Sequence, residues 1–483
     1  MSVTVGVHTG RIAFRLRPNF RLRAAFDVRP KYLTRLHRAD GYDYPRKSTD
    51  GHTSELTARS CEVRVLQAPR PRFLCRGGSL AVPTRDGILM ASHSLRKRAT
   101  TASSETTYDL FIRYDDGAGF SKMIARAPGV SDEVLEFKYP ALVALNTFFD
   151  PMGTAGIELM NVEESHKNGT GPIFDDSVVY AVGTIVMANG TGRFDTSHQR
   201  YVTESAMLRF HAGLGKALKH FGLDHAIIDL TVSVNTERFK ALADRLVHFY
   251  SGDHYFRYNG DEVRGHVARV LVGPQAIAAA FYIQNNPPEQ LRALLEESPL
   301  TESTILTLDG GNFNINYSVL IPHPTLPDML LPVTLGSVDV GTHNIRERAE
   351  EEITKLAGTR PPLRVVDNAI NPRHASYGTV PNPRGGKINI SKRLAEIRRA
   401  VWEDGFSQIR AKTSGAGPQY VFVVGGFGIV AADEIDATEI GTLPGGAPLT
   451  FKDLPGFYNA ESEWAVVRGL DSMGTADVEM SQR

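Results

Sequence analysis

From Tyr108 onward, apolar residues recur along the chain with two different periods. Runs in which every second residue is apolar are typical of strands, and runs with apolar residues three or four positions apart are typical of helices. The two kinds of run alternate to the end of the chain, which predicts an α/β fold. Helices are expected at about 203–221, 236–250, 275–284, 341–357 and 390–411, and strands at about 226–234, 265–273, 303–309, 313–320, 329–336 and 419–424.

Two stretches of this region show neither period and are interpreted as connections. Residues 161–174 contain Gly and Asn, and residues 359–387 contain five prolines. Proline fixes its own φ and restricts the residue before it, so closely spaced prolines oppose regular structure. No repeat of fixed period is found along the chain.

Residues 1–107 differ in composition from the rest of the chain. They contain 17 Arg and 3 Lys against 8 acidic residues, a net charge of +12, whereas residues 108–483 contain 34 basic and 46 acidic residues, a net charge of −12. Such a segment buries too little apolar surface to offset its chain entropy, so we expect a poorly ordered extension. It is either dispensable, or untranslated because synthesis starts near Met90, or a basic arm that binds DNA or an acidic partner.

The composition of the whole chain is typical of a soluble globular protein. Its net charge is zero and 42% of its 483 residues are apolar, which excludes chain-wide disorder, collagen and coiled coil and suggests roughly two to four domains. Cys61 and Cys75 are too few for a disulfide framework. No run approaches the roughly 18–20 apolar residues of a membrane helix, and no signal peptide is visible. We therefore expect a cytoplasmic protein without a membrane partner.

The first of three glycine-rich turns follows the strand that begins near Tyr108. Its glycines would allow backbone N–H groups to approach phosphate oxygens, the acid could hold a hydrated metal ion, and the lysine would supply a charge for the β and γ phosphates. The same residues are compatible with an ordinary turn followed by a solvated strand lysine. The candidate phosphate-binding residues are Asp115, Asp116, Gly117, Ala118, Gly119 and Lys122.

Two further turns of this kind follow later strands. In the second, Asp309 ends an apolar strand and paired glycines follow, which suits a second phosphate hairpin with Asp309 facing the same metal. In the third, a buried strand ends in glycines whose backbone could lie against a nucleobase or ribose. Each turn alone is compatible with simple chain reversal, and it is their order and spacing that indicate one site. The candidates are Gly310, Gly311 and Asn312 for phosphate, and Gly425, Gly426 and Phe427 for the nucleoside.

The order of the three turns resembles the two-domain nucleotide cleft of the actin, heat-shock chaperone and sugar-kinase superfamily. Strand-Asp-x-Gly is followed about 190 residues later by strand-Asp-Gly-Gly, and about 115 residues beyond that by strand-Gly-Gly. Within this superfamily the sequence is most similar to the plasmid-segregation actins of the ParM/StbA type. The similarity is carried by residues 115–117 with Lys122, by 272–279, by 338–341 leading into a helix, and by 457–460 opening the last helix.

The resemblance implies an actin-like fold of two RNase H-like halves around a nucleotide cleft. The first half would span 108–285 and the second 286–475, with a C-terminal tail at 476–483. ATP and Mg²⁺ are the implied cofactors, and Asp115 and Asp309 would hold the metal through water. Two further roles are implied, Gln275 orienting the attacking water from the helix that joins the halves and Gly341 letting the ribose approach.

The sequence departs from the family pattern at three places. Ala118 and Gly119 replace the usual hydroxyl-bearing pair, so a γ-phosphate contact from a Ser or Thr side chain is missing. Asn312 and Phe313 stand where Gly-Thr is commoner. Gln275 stands where segregation actins often carry Glu, and because an amide is not a base, intrinsic hydrolysis should be slow.

The resemblance implies an ATP-dependent polymerising protein. Its filaments would segregate plasmid DNA through a ParR-like centromere-binding adaptor, with ATP hydrolysis controlling filament turnover. A small-molecule, sugar-type kinase of the same superfamily is the alternative, although the region 232–237 offers only Glu237 as a base. A chaperone would need a peptide-binding domain after the nucleotide halves. A protein that binds DNA through its basic arm would show salt-dependent binding by residues 1–107 alone.

Overall fold

The computed structural model describes most of the chain from residue 107 onward and two short strands near the N-terminus. These strands, β1 (Val3–His8) and β2 (Arg11–Leu16), form an antiparallel pair. The rest of the predicted N-terminal extension up to residue 106 lies outside the described residues. The described residues in this region are 107–145, 160–168, 178–189, 200–322, 324, 330–413, 416–442, 446–460 and 462–481, with no side chains described at 188–189 and 476–481.

A first mixed sheet is built from β3 (Leu110–Asp116), β4 (Phe120–Arg126), β5 (Val134–Pro140), β6 (Val143–Leu145), β7 (Asn161–Lys167), β8 (Tyr180–Val182), β9 (His225–Val234), β10 (Gly252–Tyr258) and β11 (Asp261–Pro274). Its order is β5-β4-β3-β9-β11-β10-β7-β8-β6, and β3, β9 and β11 are parallel neighbours. Strands β3 and β9 are largely buried, which explains their long apolar runs.

A second sheet follows in the later part of the chain. The remaining strands are β12 (Ile305–Gly310), β13 (Ile315–Pro322), β14 (Leu330–Val338), β15 (Thr379–Pro381), β16 (Lys387–Asn389), β17 (Tyr420–Val424), β18 (Glu439–Thr442), β19 (Pro448–Thr450) and β20 (Phe457–Asn459). Five of them form a sheet in the order β14-β13-β12-β17-β20, in which β12 is parallel to β17 and β17 to β20. The pairs β15–β16 and β18–β19 are separate hairpins.

Helices cover both sheets. They are α1 (Thr184–Asn189), α2 (Glu204–His220), α3 (Phe239–Tyr250), α4 (Gln275–Asn285), α5 (Glu289–Glu297), α6 (Thr342–Ala357), α7 (Leu363–Ile370), α8 (Ser391–Thr413), α9 (Gly426–Val430), α10 (Ala432–Asp436) and α11 (Ala465–Ser481). Helix α2 shows how local sequence sets a start, because the Thr203 hydroxyl accepts a hydrogen bond from the N–H of Ala206 (3.3 Å).

Helices α4 and α11 join the two sheets. Helix α4 begins directly after β11 and contacts strands of both sheets, and α11 returns from the second sheet to pack against β3, β9 and α4. The two helices cross closely, because a Cβ added to Gly469 would lie 1.8 Å from the carbonyl oxygen of Ala278. The last helix therefore packs with the first sheet although it follows the second one in sequence.

The elements predicted from periodicity are confirmed. The long helices begin and end within three residues of their expected limits, and each predicted strand is present. The strand predicted at 265–273 is the second part of a longer strand that begins at Asp261. Among the described residues, no helix is long and apolar enough to cross a membrane.

Three local predictions are wrong. The supposed connection 359–387 contains α7 and β15, because Pro362 stands at the N-cap of α7 and Pro381 at the end of β15, where no helical N–H is lost. The supposed connection 161–174 begins with strand β7. Residues 457–459 form a strand, and the last helix begins only at Ala465. That helix continues to Ser481.

Candidate functional site

Four of the predicted site residues, Asp115, Gln275, Asp309 and Gly425, lie where parallel strands of the two sheets end. In the first sheet, Asp115, Ser233 and Gln275 lie at or directly after the carboxyl ends of β3, β9 and β11. In the second sheet, Asp309 and Gly425 occupy the matching positions of β12 and β17. The carboxyl ends of parallel strands meet at one edge of a sheet, which is where α/β proteins place ligands.

Asp115 is a buried carboxylate whose oxygens are all engaged. Oδ1 accepts hydrogen bonds from the Ser233 hydroxyl (2.6 Å) and from Nε2 of Gln275 (3.0 Å), and Oδ2 pairs with the Lys122 ammonium at 3.0 Å. Burial alone would raise the pKa of Asp115, but Lys122 and these hydrogen bonds hold it below its usual value.

Lys122 is the cationic partner of this carboxylate. Its side chain is 13% exposed, so it is not the solvated strand lysine of the alternative interpretation. Burial alone would lower the pKa of Lys122, but the ion pair with Asp115 outweighs burial and raises it. Lys122 is therefore a fixed positive charge beside the first glycine turn.

Asp116 has a different role from its neighbour. Successive side chains of a strand lie on opposite faces, and the Asp116 carboxylate is fully buried. It accepts two hydrogen bonds from Arg209 (2.8 and 2.7 Å) and one from Ser121 (3.0 Å). Burial alone would raise its pKa, but Arg209 lowers it. This ion pair ties α2 to β3 and does not support the phosphate contact predicted for Asp116.

Asp309 is also buried but poorly compensated. It is 6% exposed and accepts a hydrogen bond of 3.3 Å from the Asn316 amide. Burial, together with the negative charge of Asp115, raises the pKa of Asp309 to about 7, despite the opposing effects of Lys122 and Asn316. Near neutral pH Asp309 is therefore close to half-protonated, and its negative charge is compensated less fully than that of Asp115.

A chain of hydrogen bonds connects the two carboxylates across the sheets. Gln275 donates from Nε2 to Asp115 and accepts through Oε1 from Nδ2 of Asn316 (2.9 Å), which also lies 3.3 Å from Asp309. The Asn316 oxygen accepts from the backbone N–H of Thr236 (3.2 Å). Both ends of the Gln275 amide are thus fixed, one by each sheet.

The first two glycine turns face each other. A Cβ added to Gly119 would lie 2.8 Å from Cβ of Asn312, and one added to Gly117 would lie 2.5 Å from the carbonyl oxygen of Phe120, so both positions need glycine. Nδ2 of Asn312 is buried and has no hydrogen-bond partner among the described residues. A buried, unpaired donor between two glycine turns fits an anionic oxygen of a ligand.

Gly310, Gly311 and Ala118, also predicted to bind phosphate, allow close packing of the backbone in and around the two hairpins. The N–H of Gly311 donates to the carbonyl of Asn314 (2.8 Å) and closes the second hairpin. A Cβ on Gly310 would lie 2.6 Å from Cβ of Phe427. Ala118 lines a cavity of about 50 Å³ together with Asn314 and other residues from both sheets. The two hairpins therefore approach each other through backbone and small side chains.

The third turn lies directly on the second hairpin. Gly425 has a φ of +89°, which favours glycine, and a Cβ there would lie 2.3 Å from the carbonyl oxygen of Gly310 and 2.9 Å from Oδ1 of Asp309. No described atom lies within 4 Å of a Cβ added to Gly426, so this position is open.

Phe427 and Gly341, both predicted to contact the nucleoside, have structural roles in the second half of the protein. Phe427 is 1% exposed and its ring packs against Trp402 at 5.9 Å between centroids, so the ring belongs to the core, and a contact of its backbone with the nucleoside stays a prediction. Gly341 is explained by its contact with the second hairpin, because a Cβ there would lie 2.4 Å from the carbonyl oxygen of Asn312. Its contact with ribose stays a prediction.

Sequence reasoning missed Ser233 and Asn316. Each is a polar residue within an otherwise buried strand, with exposures of 0% and 1%. Buried polar side chains require hydrogen-bond partners, so their positions in apolar runs were the available signal. What the sequence does not contain is the identity of those partners, which come from other strands.

The residues present fit a magnesium nucleotide. The described part of the chain has no group of three or more His, Cys, Asp or Glu side chains that could enclose a metal ion. Mg²⁺ instead commonly keeps several waters and uses one or two carboxylates plus phosphates, which Asp115 and Asp309 could serve. The unpaired donor of Asn312 and the ammonium of Lys122 suit the phosphates.

Comparisons with known proteins test the fold. No family model and no curated protein matches this chain. It is similar to a subunit of a 15-stranded ParM filament from Clostridium botulinum, with a TM-score of 0.58 and 13% identity over 76% of this chain and 99% of that chain. An archaeal actin homolog matches with a TM-score of 0.54 and 15% identity over 77% and 99%. Bacillus thuringiensis ParM with AMPPNP matches with a TM-score of 0.51 and 12% identity over 77% and 99%.

The chain therefore has an actin-like fold. Two sheets linked by α4 and α11, with a glycine hairpin opening each sheet at the shared cleft, define this class of protein. Similarity to the ParM-type actin-like proteins, inferred above from short motifs, is confirmed at the level of the fold.

Proposed function

We propose that this protein is an actin-like ATPase that binds Mg²⁺-ATP between two halves, residues 108–285 and 286–475, and polymerises. The observation that carries the proposal is the hydrogen-bonded chain Asp115–Gln275–Asn316–Asp309. It brings two buried carboxylates from different sheets to one cleft beside two glycine hairpins. A structural role alone does not require a second buried carboxylate with a pKa near neutrality.

Different side chains of the site would have different roles in phosphoryl transfer from ATP to water. Bound Mg²⁺ would supply neutralisation of phosphate charge, with Asp115 and Asp309 holding its waters. Lys122 and Nδ2 of Asn312 would position phosphate oxygens. Gln275, fixed at both ends of its amide, would orient the attacking water, and because an amide cannot accept the proton, hydrolysis would be slow.

The structures that this chain is similar to support the proposal that it polymerises. One of them is a subunit of a ParM filament, and others are ParM with AMPPNP and an archaeal actin homolog with ADP. We propose that this chain likewise forms nucleotide-dependent filaments with itself. Plasmid DNA segregation in the cytoplasm, through a ParR-like centromere-binding adaptor that carries the DNA, is the finer part of this proposal.

Light scattering and sedimentation test the proposal. With Mg²⁺-ATP, scattering should rise, decay as ATP is consumed, and persist when a non-hydrolysable analogue replaces ATP; protein with ADP or without nucleotide serves as control. If scattering stays flat at about tens of micromolar protein while a sugar or another hydroxyl compound stimulates ADP release, the protein is a kinase and not a filament former.

A further inference from the structure

One segment of the second half opposes the charge of the rest of the folded chain. Residues 358–399 contain nine Arg or Lys and two Asp or Glu, a net charge of +7. The other residues between 108 and 483 contain 25 basic and 44 acidic side chains, a net charge of −19. The neutral total of the protein therefore hides a basic region on an acidic body.

The basic side chains of this segment are almost all exposed at the surface of the protein. Of its nine basic side chains only Arg398 is buried, and the eight exposed ones are Arg360, Arg364, Arg373, Arg384, Lys387, Lys392, Arg393 and Arg399. Arg360 and Arg373 lie in the connections after α6 and α7, and the other six lie in α7, in the β15–β16 hairpin and in the first half of α8. A Cβ added to Gly358, at the end of α6, would lie 3.8 Å from the guanidinium of Arg384, so the hairpin tip lies against that helix end. We call these eight side chains the basic surface.

Ion pairs within the protein neutralise only part of the basic surface. Arg360 pairs with Glu350, and Arg393 lies 2.7 Å from Glu396 and 3.6 Å from Glu352. Five other members have no ion-pair partner among the described residues, and they are Arg364, Arg384, Lys387, Lys392 and Arg399. Five exposed cations without an ion-pair partner in the described part of the chain produce a local field suited to an oppositely charged partner.

We propose that the basic surface docks on the acidic body of a second copy of this chain. Charge identifies the occupant, because residues 108–357 and 400–483 of a second copy together carry −19, whereas the same acidic residues of this copy would oppose the approach of a nucleic acid. The basic surface is unsuited to pairing with itself, since like charges would meet. The contact is therefore heterologous, and heterologous contacts that do not close form open filaments. This inference rests on the proposed function and names the surface that assembly uses.

Matched charge reversals test the proposal. The surface variant is Arg364→Glu/Arg384→Glu/Lys387→Glu, and the control variant is Arg292→Glu/Arg410→Glu/Lys452→Glu. All six positions are exposed, and both variants change the net charge of the protein by the same amount. Only the place of the charge differs. Circular dichroism and the affinity for a fluorescent ATP analogue establish that each variant is folded and has an intact cleft.

Sedimentation with Mg²⁺-AMPPNP then measures the critical concentration. We expect an increase of about tenfold or more for the surface variant and about twofold or less for the control, and we expect the wild-type critical concentration to rise with salt. Equal assembly by the surface variant, or equal loss in both variants, would overturn the docking surface while leaving the proposed function intact.

Two further outcomes would overturn the docking surface in different ways. If the wild-type protein binds the ATP analogue but never sediments, both the filament and its docking surface are wrong, and only nucleotide binding survives. If fluorescent duplex DNA binds the wild-type protein at about 150 mM salt and the surface variant loses that binding while it still assembles, the occupant is a nucleic acid and not a second copy of the chain.

Discussion

The first and second glycine hairpins look alike in sequence but differ in electrostatics. Each places an aspartate at the end of a strand, followed by glycine. Asp115 of the first hairpin has Lys122, Ser233 and Gln275 as partners and a lowered pKa. Among the described residues, Asp309 of the second has one side-chain hydrogen-bond partner, Asn316 at 3.3 Å, and a pKa of about 7. Both oxygens of Asp115 already have partners within the protein, whereas Asp309 depends more strongly on a ligand for compensation of its charge.

The difference between the two aspartates indicates that one contributes mainly to stability and the other mainly to ligand binding. A charge that is compensated within the fold contributes to stability, whereas an uncompensated buried charge costs stability until a cation arrives. We therefore infer that Asp115 holds the cleft together and that Asp309 makes it responsive to the metal nucleotide. Substitutions at the two positions should have different consequences.

The largest effect is expected on hydrolysis. Asp309→Ala should lower the ATPase rate by about a hundredfold or more while circular dichroism is unchanged, because the contact to the metal is lost but little core packing is removed. A steady-state phosphate-release assay checks this, with Asp244→Ala, at an exposed position of α3, as control. Wild-type turnover in Asp309→Ala would contradict the assignment of the second hairpin.

The next effect concerns stability at the first hairpin. Asp115→Asn should reduce the free energy of unfolding of the nucleotide-free protein by roughly 2–4 kcal/mol, because it leaves the Lys122 ammonium partly buried without its carboxylate. Urea unfolding at pH 7 measures it, with Asp244→Asn as the matched control. Unchanged stability would show that Lys122 transfers to Asp309 and that the two hairpins are equivalent.

At the second hairpin, replacing the aspartate is expected to raise the free energy of unfolding instead of lowering it. Because the folded-state pKa of Asp309 is raised to about 7 from 3.8, its contribution to stability is fully present below about pH 4 and is lost as the pH rises through 7. Asp309→Asn, which resembles the protonated acid, should therefore stabilise the nucleotide-free protein by roughly 2–3 kcal/mol at pH 8. At pH 4 the two proteins should unfold at similar urea concentrations. A destabilised variant at pH 8 would refute the contrast between the hairpins.

The smallest effect is expected from truncation. A protein that starts at Met90 should bind ATP and assemble within about twofold of the full chain, since all three glycine turns lie after it. Fluorescent-nucleotide binding and sedimentation of both proteins check this. Loss of nucleotide binding would show that the segment before Met90 supports the cleft, and that the boundary placed near residue 107 is wrong.

Much of the fold was predictable because the spacing of apolar residues along each segment depends on whether that segment is a helix or a strand. The periods of 3.6 and 2 located the long helices and the strands, since each element buries one face or both against its neighbours. The prediction failed at α7, where proline was interpreted as a breaker although it stands at the helix start. It failed again at residues 457–459, where three residues are too few to show a period.

What the sequence by itself determined is the order of the three glycine turns, the α/β alternation and the segregation of charge, because each is a property of neighbouring residues. Tertiary structure alone decided which of Asp115 and Asp116 faces the cleft and that Phe427 lies in the core. It also placed Gln275 beside Asp115 and Asn316, positions 160 and 41 residues away in the chain. The charge state of a buried carboxylate depends on such partners, which only the packing of the two sheets brings within hydrogen-bonding distance.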